Sequence, residues 1–143
     1  MNVDHIGIAV RSIAEAGRFY QETLGLTVGP PEALPDNGVT VAFVAVGDTQ
    51  IELLEPLGPD GPIGRFLASR GEGIHHIALA VPDITSALEA ARQAGVRLVD
   101  ATPRRGAQGT RVAFLHPKDT HGVLIELVEC PERLRRPSRA GTI

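Results

Sequence analysis

Two histidines and two glutamates carry the chemistry that can be read from this 143-residue chain. His5 lies in DHIGIAV (4–10) and His76 in HHIALAV (75–81), while Glu52 lies in QIELLEP (50–56) and Glu126 in LIELVECP (124–131). Aliphatic residues flank both glutamates, Ile51 and Leu53 on one, Ile125 and Leu127 on the other. An ionised carboxylate in so apolar a strand is costly to bury without a cation or hydrogen-bond donors. Together the four make a His2Glu2 donor set, and nitrogen and oxygen ligands suit a borderline divalent ion such as Zn, Co, Ni or Mn. An ion so held is a Lewis acid. Taken singly, a strand histidine is more often structural and a strand glutamate more often solvated. What favours the joint reading is that all four recur at matching places in a repeat.

The repeat organises the rest of the chain. His5 and His76 stand 71 residues apart, and Glu52 and Glu126 stand 74 apart. Each histidine strand runs straight into a helix start, at Arg11-Ser12 and at Pro82-Asp83, and each helix stops at a glycine, Gly25 or Gly95. Two βαβββ units follow, with strands expected near 2–10, 26–29, 39–46 and 49–54, then 74–81, 97–101, 110–116 and 122–129. Helices are expected near 12–24 and 83–94, the second with Ile84, Ala87, Leu88 and Ala91 on one side and Asp83 as its cap. The connector 56–73 opens with Pro and Gly and turns helical around 62–70, and the loop 29–38 reads as irregular and able to border a site. The domain is therefore 1–130, with module one near 2–55 and module two near 74–130. An Arg-rich tail covers 131–143, with Arg133, Arg135, Arg136 and Arg139.

Strand side chains alternate between faces. His5, Gly7 and Ala9 share one face, as do His76, Ala78 and Ala80, so each histidine stands among small residues that leave room for a ligand. His75 is expected on the opposite face in a structural role. His121 sits at a turn and is expected to be exposed. His116 ends a strand before Pro117, where ligand-facing and structural roles are both open. Gln50 shares a face with Glu52 and is a candidate substrate contact, against a plain cross-strand role. Lys118 is a lone cation on a loop, and Cys130 reads as an inert thiol.

Composition narrows the function. Hydrophobic residues make up 43% and charged residues 22%, which describes a chain with a real core. A net charge of −3 with no basic face argues against nucleic acid, as does an aromatic content of four Phe, one Tyr and no Trp. One cysteine excludes an internal disulfide or a thiolate cluster and suits a reducing compartment. No apolar run is long enough for a membrane span, and MNVDHIGIAV lacks secretory features. A cytoplasmic protein is expected.

These residues resemble the vicinal oxygen chelate superfamily. DHIGIAV, FYQETLGLTV (19–28), GIHHIALAV (73–81) and HPKDTHGVLIEL (116–127) together resemble its methylmalonyl-CoA epimerases, over roughly residues 2 to 130. The resemblance implies an α+β glyoxalase-like fold, in which two tandem βαβββ modules form a curved mixed sheet around a metal-binding cavity. It implies that His5, His76 and Glu126 bind a divalent metal and that Glu52 takes the fourth ligand position, where some epimerases have Gln. A second catalytic Glu of some epimerases falls near Val41 here, and valine moves no proton. Glyoxalase I shares the His, Glu, His, Glu order, but its final motif usually runs through an Asp-Pro-Asp-Gly turn, where this chain has His116-Pro117-Lys118-Asp119. Extradiol dioxygenases of the superfamily rank third, and metal-free drug-sequestering resistance proteins are the non-enzyme alternative.

The implied reaction interconverts (2R)- and (2S)-methylmalonyl-CoA. The C2 proton leaves, a metal-stabilised enolate forms, and a proton returns to the other face, which needs a base on each side. Glu126 is expected on one face and Glu52 on the other, with Lys118, Gln50 and His116 as candidate substrate contacts. A CoA thioester is the expected partner, and a homodimer the expected assembly.

Overall fold

The computed structural model describes residues 1–131, so the Arg-rich tail beyond Pro131 lies outside the described residues. Strand β1 (Asn2–Ala9) leads into helix α1 (Ile13–Arg18), which relaxes into a π-helical turn over Phe19–Thr23. Strands β2 (Glu32–Leu34), β3 (Val39–Val46) and β4 (Thr49–Pro56) complete the first unit. Helix α2 (Pro62–Arg70) joins it to β5 (Gly73–Ala80), α3 (Ile84–Gln93), β6 (Arg104–Arg105), β7 (Arg111–Leu115) and β8 (Ile125–Glu129). The eight strands form one sheet in the order β2-β3-β4-β1-β5-β8-β7-β6. Within each unit the histidine strand runs parallel to the glutamate strand (β1 with β4, β5 with β8), and the units join through antiparallel β1 and β5. All four strands that carry the site are therefore adjacent at the centre. The result is a curved mixed sheet with two βαβββ modules.

Helices cover one face of the sheet module by module. Ile13 of α1 clusters with Val10, Ala42, Val44 and Leu53, and Ile84 and Leu88 of α3 with Val81, Ala113 and Leu127. Ser12 and Asp83 cap α1 and α3 by accepting the backbone N–H of Glu15 and Ser86. A second acid reinforces each start: Glu55 Oε1 accepts the Ile13 N–H at 3.1 Å, and Glu129 Oε2 accepts the Ile84 N–H at 2.8 Å. Each of these acids lies three residues beyond a site glutamate, so strand alternation sends one carboxylate to the concave face and its neighbour to the helix. Gly25 (φ 67°) and Gly95 (φ 80°) end the helices in the left-handed conformation. On the concave face, α2 and Ala107 close over Ala9, Val39, Val41 and Leu54.

The edges differ from the sequence expectation, and proline is the reason. The strands expected at 26–29 and 97–101 shrink to single bridges, Val28 to Val44 and Leu98 to Leu115. Gly29-Pro30-Pro31 interrupts the first edge and Pro103 the second, since proline cannot donate to a ladder. Pairing resumes beyond each break as β2 and β6, so the segment expected to be a loop at 29–38 holds a short strand and the turn Pro35–Asn37. The two edges also touch: Arg104 donates to Asn37 Oδ1 at 3.1 Å, and the Gln108 N–H to Glu32 Oε2 at 3.3 Å. Among the described residues, no helix is long and apolar enough to cross a membrane.

Candidate metal centre and active site

Two β-bulges shape the centre of the sheet. Val3 pairs with Leu79 and His5 with Ala78, which leaves Asp4 as an extra residue on β1. Gly7 pairs with His76 and Ile8 with Ile74, which leaves His75 as the extra residue on β5. A bulge re-aims the side chain of the additional residue. Asp4 Oδ2 thus accepts from His5 Nδ1 at 2.7 Å, and His75 Nδ1 lies 2.9 Å from His76 Nδ1. This corrects the placement of His75 on the opposite face: strict alternation fails at the bulge, and its ring lies edge-on between Phe66 and His76, 5.1 and 5.2 Å away.

His5, Glu52, His76 and Glu126 meet on the concave face and are all buried, at 3–6% exposure. His5 Nε2 lies 3.1 Å from His76 Nε2, and Glu52 Oε1 lies 3.6 Å from both. Glu126 Oε2 lies 2.9 Å from His76 Nε2 and 3.7 Å from His5 Nε2. Donors about 2.1 Å from a shared ion stand roughly 3.0–3.4 Å apart in octahedral or tetrahedral geometry. The observed spacings straddle that range, and donor atoms of His5, Glu52 and His76 all fall within 4.8 Å of one another. The residues fit a divalent ion.

The ring environment repeats the same symmetry. Phe43 is the cross-strand partner of Glu52, and Phe114 of Glu126. Each phenylalanine presents an edge-to-face contact to the histidine of its own module, at 5.8 Å for His5 and 5.4 Å for His76. Gly7 is needed for space: a Cβ there would lie 2.2 Å from His76 Cε1, so the ring occupies the volume a side chain on β1 would fill.

Electrostatics separates the two glutamates. Burial pushes the Glu52 carboxyl up, opposed by the charge of His5 and reinforced by that of Glu126. Burial acts the same way on Glu126, yet hydrogen bonds from His5 and His76 outweigh it and hold that carboxyl below the usual range. Burial would lower His5, but the hydrogen bond to Asp4, then Glu126 and the charge of Glu52, raise its pKa to about 10. Burial lowers His75 to about 4, and the charge of His76 adds to this, so His75 is neutral at pH 7. Without a metal, the cluster holds a proton that an ion would displace.

Cavities flank the centre on both sides. One of about 390 Å³ is lined by Asp4, Asp48, Gln50, Phe43 and Gln108 beside His5 and both site glutamates. Another of about 100 Å³ is lined by Val39, Val41, Ile63, Phe114 and Arg104 beside His75, His76 and both glutamates. Of the candidate substrate contacts, Gln50 lines the larger of these two cavities. His116 caps a turn by accepting the Lys118 N–H at its Nδ1, Lys118 is exposed, and neither lines either cavity. His121 is exposed at a turn with φ 58°. Sequence reasoning missed Asp4, Phe43, Phe114 and Ala107 as parts of the site, and the room expected for a ligand at Gly7 is taken by the His76 ring. Asp4 had a signal, since it precedes His5 as His75 precedes His76. Ala107, between Gly106 and Gly109, borders both cavities and had no comparable signal.

Known proteins are similar to this chain in sequence and fold. The family model described as the Glyoxalase/Bleomycin resistance protein/Dioxygenase superfamily matches residues 4–114. An ethylmalonyl-CoA/methylmalonyl-CoA epimerase from Cereibacter sphaeroides is 46% identical over 127 residues, covering 87% of this chain and 95% of that protein. Among solved structures, the methylmalonyl-CoA epimerase of Mycobacterium tuberculosis superposes with a TM-score of 0.88 at 42% identity, covering 92% of this chain and 89% of that one. A variant of the Streptomyces coelicolor methylmalonyl-CoA epimerase, in complex with 2-nitronate-propionyl-CoA, gives 0.87 at 40% identity, covering 92% and 96%. Two modules, a buried His-Glu-His cluster at their seam and likeness along nearly the whole chain place it in that superfamily and, within it, among the methylmalonyl-CoA epimerases.

Proposed function

We propose that this chain interconverts (2R)- and (2S)-methylmalonyl-CoA by moving the C2 proton between Glu126 and Glu52 on opposite faces of the substrate. The observation that carries the reading is the convergence of two glutamates, one from each module, on a shared pair of histidines. His5, Glu52, His76 and Glu126 are the proposed ligands of a divalent ion (Co, Zn, Ni or Mn). When bound, such an ion supplies Lewis acidity to the substrate's thioester and carboxylate oxygens. The chain's own groups do the rest. One glutamate takes the C2 proton while the other, already protonated, returns one to the far face. In the metal-free fold burial pushes the Glu52 carboxyl up while hydrogen bonds from His5 and His76 hold Glu126 down, so the two glutamates differ in proton affinity. Val41, fully buried at 1% exposure, supplies no base and instead extends the apolar wall beside both glutamates. Phe43 and Phe114 pack edge-on against His5 and His76.

Gln50 is positioned to touch substrate from the larger cavity. Lys118, exposed and outside both cavities, is assigned to the outlying CoA arm. His116 already serves its own turn. A single catalytic domain over 1–130 completes the proposal, with a homodimer on the family resemblance and a cytoplasmic setting on the single cysteine. Solvent exchange in heavy water tests the two-base assignment. Glu52→Gln and Glu126→Gln should each lose epimerisation, with Glu126→Gln unable to exchange the proton of one epimer and Glu52→Gln that of the other. Parent-like turnover by either variant would remove that residue from the reaction.

A further inference from the structure

The two histidines of the centre are supported differently, although the bulges that support them are equivalent. His5 hands its Nδ1 proton to a carboxylate, Asp4 Oδ2, at 2.7 Å. His76 Nδ1 faces another imidazole, His75 Nδ1, at 2.9 Å. A neutral imidazole has a single N–H. If Nε2 of His76 offers its lone pair to an ion, its proton must sit on Nδ1, and His75 Nδ1 must then be the acceptor. The structure supplies the acceptor at hydrogen-bond distance and fixes its direction: Phe66 packs edge-on against the His75 ring, and the bulge on β5 turns that ring to the concave side. Gly7 opposite leaves open the space in which the His76 ring lies.

We propose that His75 is a positioning residue for the metal centre, holding His76 in the tautomer that aims the Nε2 lone pair at Glu52, Glu126 and His5. This rests on the reading of His76 as a metal ligand. Partners of this kind orient ligating histidines and tune their basicity, and their loss typically weakens metal binding about 10–100-fold. Asp4 brings a negative charge to its side of the centre, whereas His75 supports its histidine without one. The substrate is itself anionic.

Cobalt titration of the metal-stripped full chain, followed by the visible Co(II) absorption and by heat, tests the role. His75→Phe keeps an aromatic ring against Phe66 and removes the acceptor. His75→Asn loses the ring but places an amide oxygen near the former Nδ1. A positioning role predicts cobalt affinity at least tenfold weaker in His75→Phe and within about threefold of the parent in His75→Asn. His75→Asp, using the acceptor type of the first repeat, should also retain the ion. A purely packing role predicts the reverse order, with Phe close to the parent and Asn impaired, and that result would overturn the proposal. Should His75→Phe not fold, His75→Ala against His75→Asn repeats the comparison: equal affinity refutes it, and rescue by Asn supports it. A parent protein that binds no cobalt at all would instead refute the metal reading beneath it.

Discussion

Gly7→Ala adds one carbon between the two central strands, and the structure says where that carbon must go. An ideal Cβ at Gly7 lies 2.2 Å from His76 Cε1, 2.5 Å from Nδ1 and 2.7 Å from Nε2, where ordinary contact begins at 3.4 Å. The nearest pair must therefore part by 1.2 Å, the difference between 3.4 and 2.2. The ring cannot swing away freely, because Nε2 sits 2.9 Å from Glu126 Oε2 and Nδ1 2.9 Å from His75 Nδ1. Metal–ligand distances hold to about ±0.2 Å, so a shift of this size removes His76 as a ligand. Over-packing of this kind costs about 1–3 kcal/mol of fold stability, which a domain of this size survives. Losing a ligand outright should weaken metal binding more than the ~100-fold that loss of a supporting partner can cause. Thermal unfolding with and without cobalt separates the two effects. At a cobalt concentration 100 times the parent's Kd, the parent gains about 2.7 kcal/mol, while a 100-fold weaker variant gains only about 0.4 kcal/mol. If Gly7→Ala retains the parent's full cobalt-dependent stabilisation, the packing of His76 across β1 is wrong.

Metal binding should also be steeply pH-dependent. His5 is raised from 6.5 to about 10 in the metal-free fold, so its contribution to stability is complete below 6.5 and is lost as the pH climbs through about 10. An ion must displace that proton, so apparent affinity should rise about tenfold per pH unit between 7 and 9. A flat profile there, read by titration calorimetry in buffers of differing ionisation enthalpy, would deny the raised pKa. The helix-capping acids give a different outcome: Glu129→Ala should lower stability by about 1–2 kcal/mol through loss of the cap at Ile84 while leaving cobalt affinity unchanged. Glu129→Gln should recover part of it, since an amide oxygen can still accept. Cobalt affinity falling with Glu129→Ala would show that the cap and the metal centre are not independent.

Much of this molecule is legible in its sequence because strand alternation and repetition are local, exact properties of the chain. IELLEP and IELVEC put one glutamate of each pair on the face shared with His5 and His76, and small residues around those histidines announce the open side. The same motifs held the second acids, Glu55 and Glu129, whose targets on α1 and α3 are visible only once the helices are folded back over the sheet. His75 was misplaced because a bulge breaks the alternation on which the placement depended, and a bulge is set by pairing between strands distant in sequence. The edges were misjudged for another reason: Pro30, Pro31 and Pro103 move the pairing onward without abolishing it. Nothing in the sequence singles out Phe43 and Phe114; only their registers with Glu52 and Glu126 place them around the centre.

The central claim is that a metal-dependent centre moves the C2 proton of methylmalonyl-CoA, and mass-spectrometric deuterium wash-in addresses it most directly. Cobalt-loaded and chelator-stripped protein would be incubated in heavy water with one epimer. A gain of about one mass unit is expected with the loaded protein and none with the stripped protein, because charge at the reacting centre needs the ion. Exchange at equal rates in both would contradict the role of the metal. No exchange in either would contradict the epimerase itself and direct attention to the hemithioacetal chemistry of glyoxalase I.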